Sequence, residues 1–296
     1  MTGAEGMLGS TMVPSLQKQG HKVIQTDVLP ASSSVDYLDI RDQSQVKEAV
    51  KKHKPDAVFH LAAETDVDKC EQQQDHAYFT NTLGTENVAR ACKERKALMM
   101  YVSTAGVFYG DKAEPYTEID EPNPKNVYGK TKLAGERFVQ DYLDKYFIVR
   151  AGWMVGGFAR DKKFVKKVLD QIFAGKSEIK AVYDKKGTPT FTADFSANIL
   201  PLVETKQYGL YHMTNRGICS RYEVAQKIVY SLELEEKVRV IPVDSSAFPL
   251  PAPRADSEMM RNMRLDLLNI NLMRPWEDAL YEYIGQWKGM SEKRVL

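Results

Sequence analysis

The sequence lacks an excess of charge of either sign and lacks any long apolar run. It contains 41 Lys and Arg against 40 Asp and Glu, which gives a formal net charge of +1. A near-neutral chain is not typical of proteins that bind nucleic acid or an anionic membrane surface. No apolar run approaches the roughly 18 residues of a membrane span. We therefore expect neither nucleic acid nor a membrane as a partner.

Cysteine and histidine are also scarce. The three cysteines, Cys70, Cys92 and Cys219, lie far apart, and the five histidines are scattered. No spacing among them is typical of a metal site or a disulfide framework. No signal-peptide pattern precedes the first motif. We expect a reduced, cytoplasmic protein without a metal site.

Three glycines stand at a regular spacing at the start of the chain, at Gly3, Gly6 and Gly9. Glycines spaced in this way let the backbone approach a pyrophosphate, and a helix that begins near Met7 directs its N-terminal NH groups at that group. The helix is indicated by an apolar stripe of Leu8, Met12, Val13 and Leu16. A plain turn between a loop and a helix is the alternative interpretation.

Asp27 closes the next predicted strand, residues 21–27. An acidic residue at this position can accept hydrogen bonds from the adenosine ribose and would repel a 2′-phosphate. This favours NADH over NADPH, although the cofactor could be either. An Asp that only caps the end of a strand is the alternative.

A dinucleotide-binding sheet needs a strand before its glycine loop. Here only Met1 and Thr2 precede Gly3. Either the first few residues are missing from the sequence or the first strand itself is missing. We expect a truncated sequence, because the central strand of such a sheet is hard to lose.

Apolar strands and helices alternate up to Arg150, which predicts an α/β fold with a Rossmann-type, doubly wound parallel sheet. We expect residues 1–150 to form an NAD(P)-binding domain and residues 151–290 a smaller C-terminal α/β substrate-binding domain. Residues near 190–215 are expected to return to the first domain, and residues 291–296 to form a frayed tail. The predicted helices include residues 41–53 and 75–95, and the predicted strands include residues 35–39, 55–61, 98–102 and 146–149.

Ligands of such a sheet bind beyond the carboxyl ends of its strands, where polar and small residues gather in this sequence. Asp39 and Ile40 follow one strand and are placed to meet the adenine. Ala62 and Ala63 follow the next, where small side chains let the backbone lie against phosphates and ribose. Thr104 ends a third strand, and its hydroxyl can bind a substrate oxygen or make a local turn bond.

Tyr128 and Lys132 are four residues apart in a helical run. This spacing places both on one helix face, about 6 Å apart along the axis. The nearby ammonium group is expected to lower the pKa of Tyr128, so that the phenol can exchange a proton near neutral pH. Alone, the pair could be a coincidence on an exposed helix.

Three other polar residues have two open interpretations each. Asn81 in the long helix either orders a water near Lys132 or is simply solvated. Arg254, which follows a proline-rich loop, and Lys185 are candidate contacts for an anion, or ordinary solvated cations.

With the glycine loop, Thr104, Tyr128 and Lys132 in this order, the chain resembles the extended short-chain dehydrogenase/reductase family. Within it, the chain looks most like the dTDP-4-dehydrorhamnose reductases. This second resemblance covers nearly the whole chain and rests on residues 65–71, 128–132, 150–153 and 187–190.

The resemblance implies reduction of the 4-keto group of dTDP-6-deoxy-L-lyxo-4-hexulose to dTDP-L-rhamnose, with NADH or NADPH. It implies that Tyr128 donates the proton, that Lys132 holds the nicotinamide ribose and that Thr104 orients the keto oxygen. It further implies sugar contacts from Val67 and Trp153. The implied cofactor contacts are Met7, Leu8, Asp39, Ile40, Ala62, Ala63 and Thr65.

The chain departs from this family near the expected sugar. Ala105 and Gly106 stand where the family usually has Asp and Tyr, Val155 stands where a tyrosine usually precedes the glycine, and Ala255 stands where proline is usual. Two alternatives therefore stay open. One is another enzyme of the extended family, such as a 4-epimerase. The other is a regulatory subunit similar to the β subunit of methionine adenosyltransferase. The sequence also leaves a homodimer open.

Overall fold

The computed structural model describes residues 1–292 and contains thirteen strands and eleven α-helices in this range. The strands are β1 Gln25–Asp27, β2 Val35–Tyr37, β3 Ala57–His60, β4 Leu98–Thr104, β5 Tyr146–Ala151, β6 Trp153–Val155, β7 Glu178–Val182, β8 Lys186–Gly187, β9 Pro189–Phe191, β10 Gly209–His212, β11 Cys219–Ser220, β12 Arg239–Val243 and β13 Ser257–Glu258. The helices are α1 Gly9–Lys18, α2 Gln43–His53, α3 Val67–Gln72, α4 Gln74–Tyr78, α5 Gly84–Arg95, α6 Val127–Tyr142, α7 Phe164–Phe173, α8 Thr192–Glu204, α9 Arg221–Ser231, α10 Met263–Leu267 and α11 Trp276–Glu292.

A parallel sheet forms the centre of the first part of the chain. Its two halves, β2-β1 and β3-β4-β5-β10, are joined by Thr2, which pairs in parallel with Thr26 and His60. The Thr2 NH donates to the Phe59 carbonyl at 3.0 Å, and the Met1 carbonyl accepts from the Thr26 NH at 2.9 Å. Met1 and Thr2 therefore occupy the position of the central strand. The order is that of a Rossmann sheet, which confirms the predicted fold class.

Helices cover both faces of this sheet, as its apolar strands require. On one face, α1 and α8 pack through a core that includes Met12, Phe195 and Ile199. On the other face, α2, α5 and α6 pack through a second core that includes Val46 and Val88. Covering both faces leaves the edge at the carboxyl ends of the strands for ligands.

The residues after β5 form three small sheets, β6-β9, β7-β12 and β11-β8-β13. Helices α7, α9 and α11 pack on them around a third core. β10 leaves this region and pairs in parallel with β5, and α10 packs on β10. The division into two domains near residue 150 stays a prediction.

Three predicted elements differ from the structure. The strand predicted from residue 21 begins only at Gln25, because it pairs with β2 only over residues 25–27. The helix predicted over residues 75–95 contains a π-helical turn, Phe79–Leu83. The predicted tail begins inside α11, which ends at Glu292, and residues 293–296 lie outside the described part of the chain. None of the helices within residues 1–292 has the length and apolar character needed to cross a bilayer.

Candidate active site

Two of the three glycines in the first loop are required by the protein's own backbone. Gly3 has a φ of +70°, and a Cβ there would lie 2.7 Å from the Ala62 nitrogen. A Cβ at Gly9 would lie 2.5 Å from the carbonyl oxygens of Gly3 and Ala4. Gly6 is exposed, and a Cβ there would meet only the Gly3 oxygen, at 3.3 Å. Gly6 thus leaves open backbone that a ligand can approach.

Helix α1 begins beside this loop without a capping side chain. Within residues 1–292, the backbone NH groups of Met7 and Leu8 donate to no protein acceptor. Free NH groups at the start of a helix favour an anion. Together with the open backbone of Gly6, they fit the pyrophosphate of a dinucleotide.

Asp27 lies at the end of β1, beside the glycine loop. Its carboxylate accepts from the Glu5 NH at 3.0 Å and from the Leu29 NH at 3.1 Å. The capping interpretation is therefore present in the structure. Each carboxylate oxygen keeps a second lone pair, so the role toward a ribose stays a prediction.

Asp39 and Ile40 follow β2 at the same edge of the sheet. The Asp39 carboxylate accepts hydrogen bonds from the backbone NH and from the guanidinium of Arg41, whose Nη2 lies 2.6 Å from Oδ2. The Arg41 guanidinium holds the pKa of Asp39 below its usual value. Ile40 is buried against Gly84, where a Cβ would lie 2.7 Å from its Cδ1.

The loop after β3, which contains Ala62, Ala63 and Thr65, is held in place by Asn81. The Asn81 side chain accepts from the Glu64 NH at 2.8 Å and donates to the Glu64 carbonyl and the Thr131 hydroxyl, both at 3.0 Å. The π-helical turn contains Asn81, which is buried. Of the two interpretations of Asn81, the solvated one is wrong, because its buried polar atoms connect this loop to α6.

The first turn of α6, which contains Tyr128, is fixed by two acceptors. The Asn126 side chain caps the helix by accepting from the Gly129 NH at 2.9 Å, and Glu71 accepts from the Val127 NH at 2.9 Å. The Asn126 amide also donates to the Pro253 carbonyl at 3.0 Å. These contacts hold Tyr128 at a fixed place between α3 and the proline-rich loop.

The predicted lowering of the Tyr128 pKa is wrong for the structure. Burial of the phenol raises its pKa above the ordinary value, and the nearby Thr104 hydroxyl opposes this rise. The Lys132 ammonium lies over the ring of Tyr101, 4.1 Å from its centroid. Because Tyr128 stays protonated at neutral pH, it is suited to donate a proton.

Lys132 is a buried cation, with 3% of its surface exposed. Burial lowers its pKa to about 7, against the opposing effect of Glu136. In the part of the chain that the structure describes, its ammonium donates no hydrogen bond to a protein acceptor. A buried ammonium in this state gains most from a ligand that brings hydroxyl oxygens.

Thr104 ends β4 beside Tyr128. Its hydroxyl oxygen accepts from the Gly106 NH at 3.0 Å, so the local turn bond considered above exists. The Tyr128 ring lies beside this hydroxyl, since a Cβ at Gly106 would lie 3.3 Å from Thr104 Oγ1 and 3.6 Å from Tyr128 Cδ1. A carbonyl oxygen placed between these two hydroxyls would meet two donors.

Because Gly129 has no side chain, α6 can contact the turn that follows Thr104. A Cβ at Gly129 would lie 2.1 Å from the Gly106 carbonyl oxygen. Alanine there must displace either α6 or the turn, and therefore must separate Tyr128 from Thr104.

We expect Gly129→Ala to lower the free energy of unfolding by about 3 kcal/mol, since it overpacks a buried backbone contact. Activity should fall with it. Urea denaturation and steady-state kinetics measure both. Gly285→Ala in α11 is the control, because nothing lies within 4 Å of a Cβ there, and it should be neutral or stabilising. Equal stability of the two variants would contradict the packing argument.

Val67 and Arg254 lie together at the start of α3. Val67 is the first residue of α3, and the Arg254 guanidinium pairs with Asp68 at 2.9 Å. Lys185 pairs with Asp256 at 2.6 Å and donates to the Arg254 carbonyl. Each of the two cations therefore already pairs with a carboxylate, and Arg254 lies close to Val67.

Trp153 belongs to a polar cluster that the sequence did not reveal. Its indole Nε1 donates to Glu258 in β13 at 2.6 Å, and Arg221 in α9 lies over its ring, 3.7 Å from the centroid. The Glu258 charge also acts on Tyr128, which connects this cluster to the proton donor. Arg221 and Glu258 belong to no recognised motif and are far from Trp153 in sequence, so no local pattern could have found them.

Comparison with known proteins gives a consistent result. Residues 1–288 match the family described as the RmlD substrate binding domain. The chain belongs to this family. The structure also places it in the extended short-chain dehydrogenase/reductase group, as the glycine loop and the Tyr128–Lys132 spacing indicated.

The relatives cover almost the entire chain. A dTDP-4-dehydrorhamnose reductase of Mycobacterium tuberculosis is 34% identical over 286 residues, which span 95% of this chain and 90% of the relative. A crystal structure of such a reductase from Clostridium acetobutylicum is 39% identical with a TM-score of 0.90, and covers 97% of this chain and 98% of its own. The Bacillus anthracis reductase in complex with NADP is 35% identical with a TM-score of 0.87, and covers 96% and 97%.

Proposed function

We propose that the chain is an NAD(P)H-dependent reductase of the 4-keto group of a nucleotide-activated deoxysugar, with dTDP-4-dehydrorhamnose as substrate and dTDP-L-rhamnose as product. One observation carries this proposal. Thr104 and Tyr128 lie side by side at the end of β4, with Lys132 on the same helix face as Tyr128. The similarity to dTDP-4-dehydrorhamnose reductases supports the choice of substrate.

The nicotinamide cofactor supplies the hydride when it is bound. Gly6, Met7 and Leu8 would hold its pyrophosphate through open backbone and free NH groups. Lys132 would donate to the hydroxyls of its nicotinamide ribose. These contacts place the cofactor over the edge of the sheet where Tyr128 lies.

Tyr128 performs the acid step of this proposal. Thr104 donates a hydrogen bond to the keto oxygen and orients it toward the Tyr128 hydroxyl. As the carbonyl electron pair moves onto this oxygen, Tyr128 transfers its proton there, and an alcohol forms. The raised pKa of Tyr128 favours this direction, because the phenol carries its proton at neutral pH.

A direct assay tests the proposal. Purified protein should consume NADH or NADPH only when a dTDP-4-keto-6-deoxy sugar is present, with one alcohol formed for each cofactor oxidised. No turnover with any such sugar would exclude the reductase. Interconversion of two sugars without net consumption of cofactor would indicate an epimerase.

Ala105 and Gly106 form the turn that follows Thr104, and neither brings a large side chain to this place. This feature is compatible with one non-enzymatic function. A regulatory subunit would keep the cofactor site and bind a protein partner. Its function would survive Tyr128→Phe, whereas the function of a reductase would not. Co-purification of a partner with an otherwise inactive protein would favour the regulatory role.

The cofactor preference follows from Asp27. We propose that NADH is preferred, because the Asp27 carboxylate lies at the edge of the glycine loop and opposes a 2′-phosphate. Asp27→Ser should raise kcat/KM with NADPH relative to NADH by roughly tenfold, equivalent to about 1.4 kcal/mol. Asp36→Ser, at an exposed position in β2, is the control. An unchanged ratio in the Asp27 variant would remove Asp27 from cofactor selection.

We also propose a cytoplasmic location and leave a homodimer to be tested by light scattering. The free thiols of Cys70, Cys92 and Cys219 support a reducing compartment. All three are buried, and burial raises the pKa of each to about 12, so they are poor nucleophiles.

A further inference from the structure

Arg221 is a half-buried cation whose hydrogen-bonding groups are free in the described structure. It is the first residue of α9 and lies flat on Trp153, with Phe164 5.2 Å from its centre. Among residues 1–292, no carboxylate or carbonyl oxygen within hydrogen-bond distance accepts from its guanidinium. Burial lowers its pKa to about 10. Partial burial of a guanidinium whose five donors have no acceptor costs free energy, and a ligand that supplies oxygen acceptors would offset this cost.

Glu258 supplies the complementary group. One of its oxygens, Oε2, accepts from the Trp153 indole at 2.6 Å, and within the described residues the other oxygen accepts no hydrogen bond. The charge of Glu258 acts on both Arg221 and Tyr128. Ala151, two residues before Trp153, pairs with Thr104 in the sheet, which places this cluster near the proton donor. The Glu258 carboxylate thus offers a free acceptor and the Arg221 guanidinium offers free donors, both beside the Trp153 indole.

The position of Trp153 is itself rigid. A Cβ at Gly187 would lie 2.4 Å from two carbons of the indole, so β8 packs directly against the ring. β8 also pairs with β13, which carries Glu258, and with β11, which leads into α9 and Arg221. The small sheet therefore holds indole, carboxylate and guanidinium in one arrangement.

We propose that Glu258 and Arg221 form a specificity-determining pair that recognises the free hydroxyl on the carbon next to the keto carbon of the hexose. Glu258 accepts a hydrogen bond from this hydroxyl, Arg221 donates one to its oxygen, and the sugar ring lies against Trp153. A carboxylate at this place disfavours an anionic substituent, and the cation disfavours an amino substituent. The pair therefore selects a neutral hydroxylated sugar. This inference rests on the proposed reductase function.

The test compares two substrates on several variants. The substrates are the dTDP-4-keto-6-deoxyhexose that the wild type reduces and its 3-deoxy analogue. The wild type should prefer the hydroxylated sugar by about 100-fold in kcat/KM, because the analogue leaves both polar groups unpaired. In Glu258→Leu and Arg221→Leu this preference should fall to about threefold or less, through a raised KM for the hydroxylated sugar with kcat changed less.

Two controls keep the test decisive. Lys227→Leu makes the same kind of change at an exposed position of α9 and should keep the wild-type preference. Affinity for NADH, measured by fluorescence, should stay unchanged in all variants and shows that they are folded. Glu258→Gln keeps an acceptor oxygen for Trp153 and should recover part of the preference.

The possible failures are distinct. If the wild type reduces neither sugar, the proposed function fails. If the wild type reduces both equally well, or the variants keep the wild-type preference, the reductase stands and this inference is overturned. If the variants lose kcat equally for both sugars, the pair only holds Trp153 in place, which also overturns the inference.

Discussion

Tyr128→Phe is expected to lower kcat by at least about 100-fold, because it removes the general acid and leaves the ring in place. The phenol is the group that meets Thr104 at the end of β4. The fold should be unaffected, since the phenyl ring fills the same space. Steady-state kinetics with NADH and the 4-keto sugar measure the loss, and NADH affinity should remain near that of the wild type.

The pH dependence gives a second readout of the same group. Activity needs protonated Tyr128 and is lost as the pH rises through its pKa, which burial places above the ordinary value. The wild type should therefore show no loss from Tyr128 between pH 7 and about 9. Tyr230→Phe, at an exposed position of α9, is the matched control and should be fully active. A loss of less than tenfold in Tyr128→Phe would assign the proton to another donor.

Spacing along the chain predicted the elements of the site but not its electrostatics. The position of Thr104 at a strand end and the four-residue spacing of Tyr128 and Lys132 predicted that these residues lie at one edge of a Rossmann sheet, where the structure has them. The same spacing could not show where the Lys132 ammonium points. The ammonium lies over the ring of Tyr101 in β4, and the pKa of Tyr128 is instead governed by burial of the phenol.

Long-range contacts explain what the sequence could not reveal. Trp153 was expected on the sugar side from a resemblance, whereas its partners Arg221 and Glu258 come from α9 and β13. The sequence left the role of Asn81 open, and its partners, Glu64 and Thr131, likewise come from other segments. Such residues are recognised only when the fold brings distant segments together.

Lys132→Met is expected to separate stability from function. Lys132 is a buried residue, 3% exposed, and burial lowers its pKa to about 7 from the ordinary value of 10.5. An apolar side chain of similar length removes the cost of burying this charge, while the contact with Tyr101 offsets part of the gain. We expect the cofactor-free variant to be more stable by about 1–3 kcal/mol near pH 7. It should also lose NADH affinity and about 100-fold or more in kcat/KM.

The pH dependence of the stability difference between Lys132→Met and the wild type tests whether burial of the Lys132 charge causes that difference. Between pH 7 and 10.5 the unfolded chain binds a proton at Lys132 that the folded wild type has released, so the contribution of this group to wild-type stability falls as the pH decreases from 10.5 to 7. The advantage of Lys132→Met should therefore be largest at or below pH 7 and should disappear toward pH 10. Urea denaturation of the cofactor-free proteins at about pH 6.5, 8 and 9.5 measures this trend. Lys130→Met, at an exposed position of α6, should show no such trend. If Lys132→Met is less stable than the wild type at every pH, the Lys132 ammonium stabilises the fold. Burial of this charge would then carry no unfavourable free energy that hydrogen bonds to the cofactor could offset.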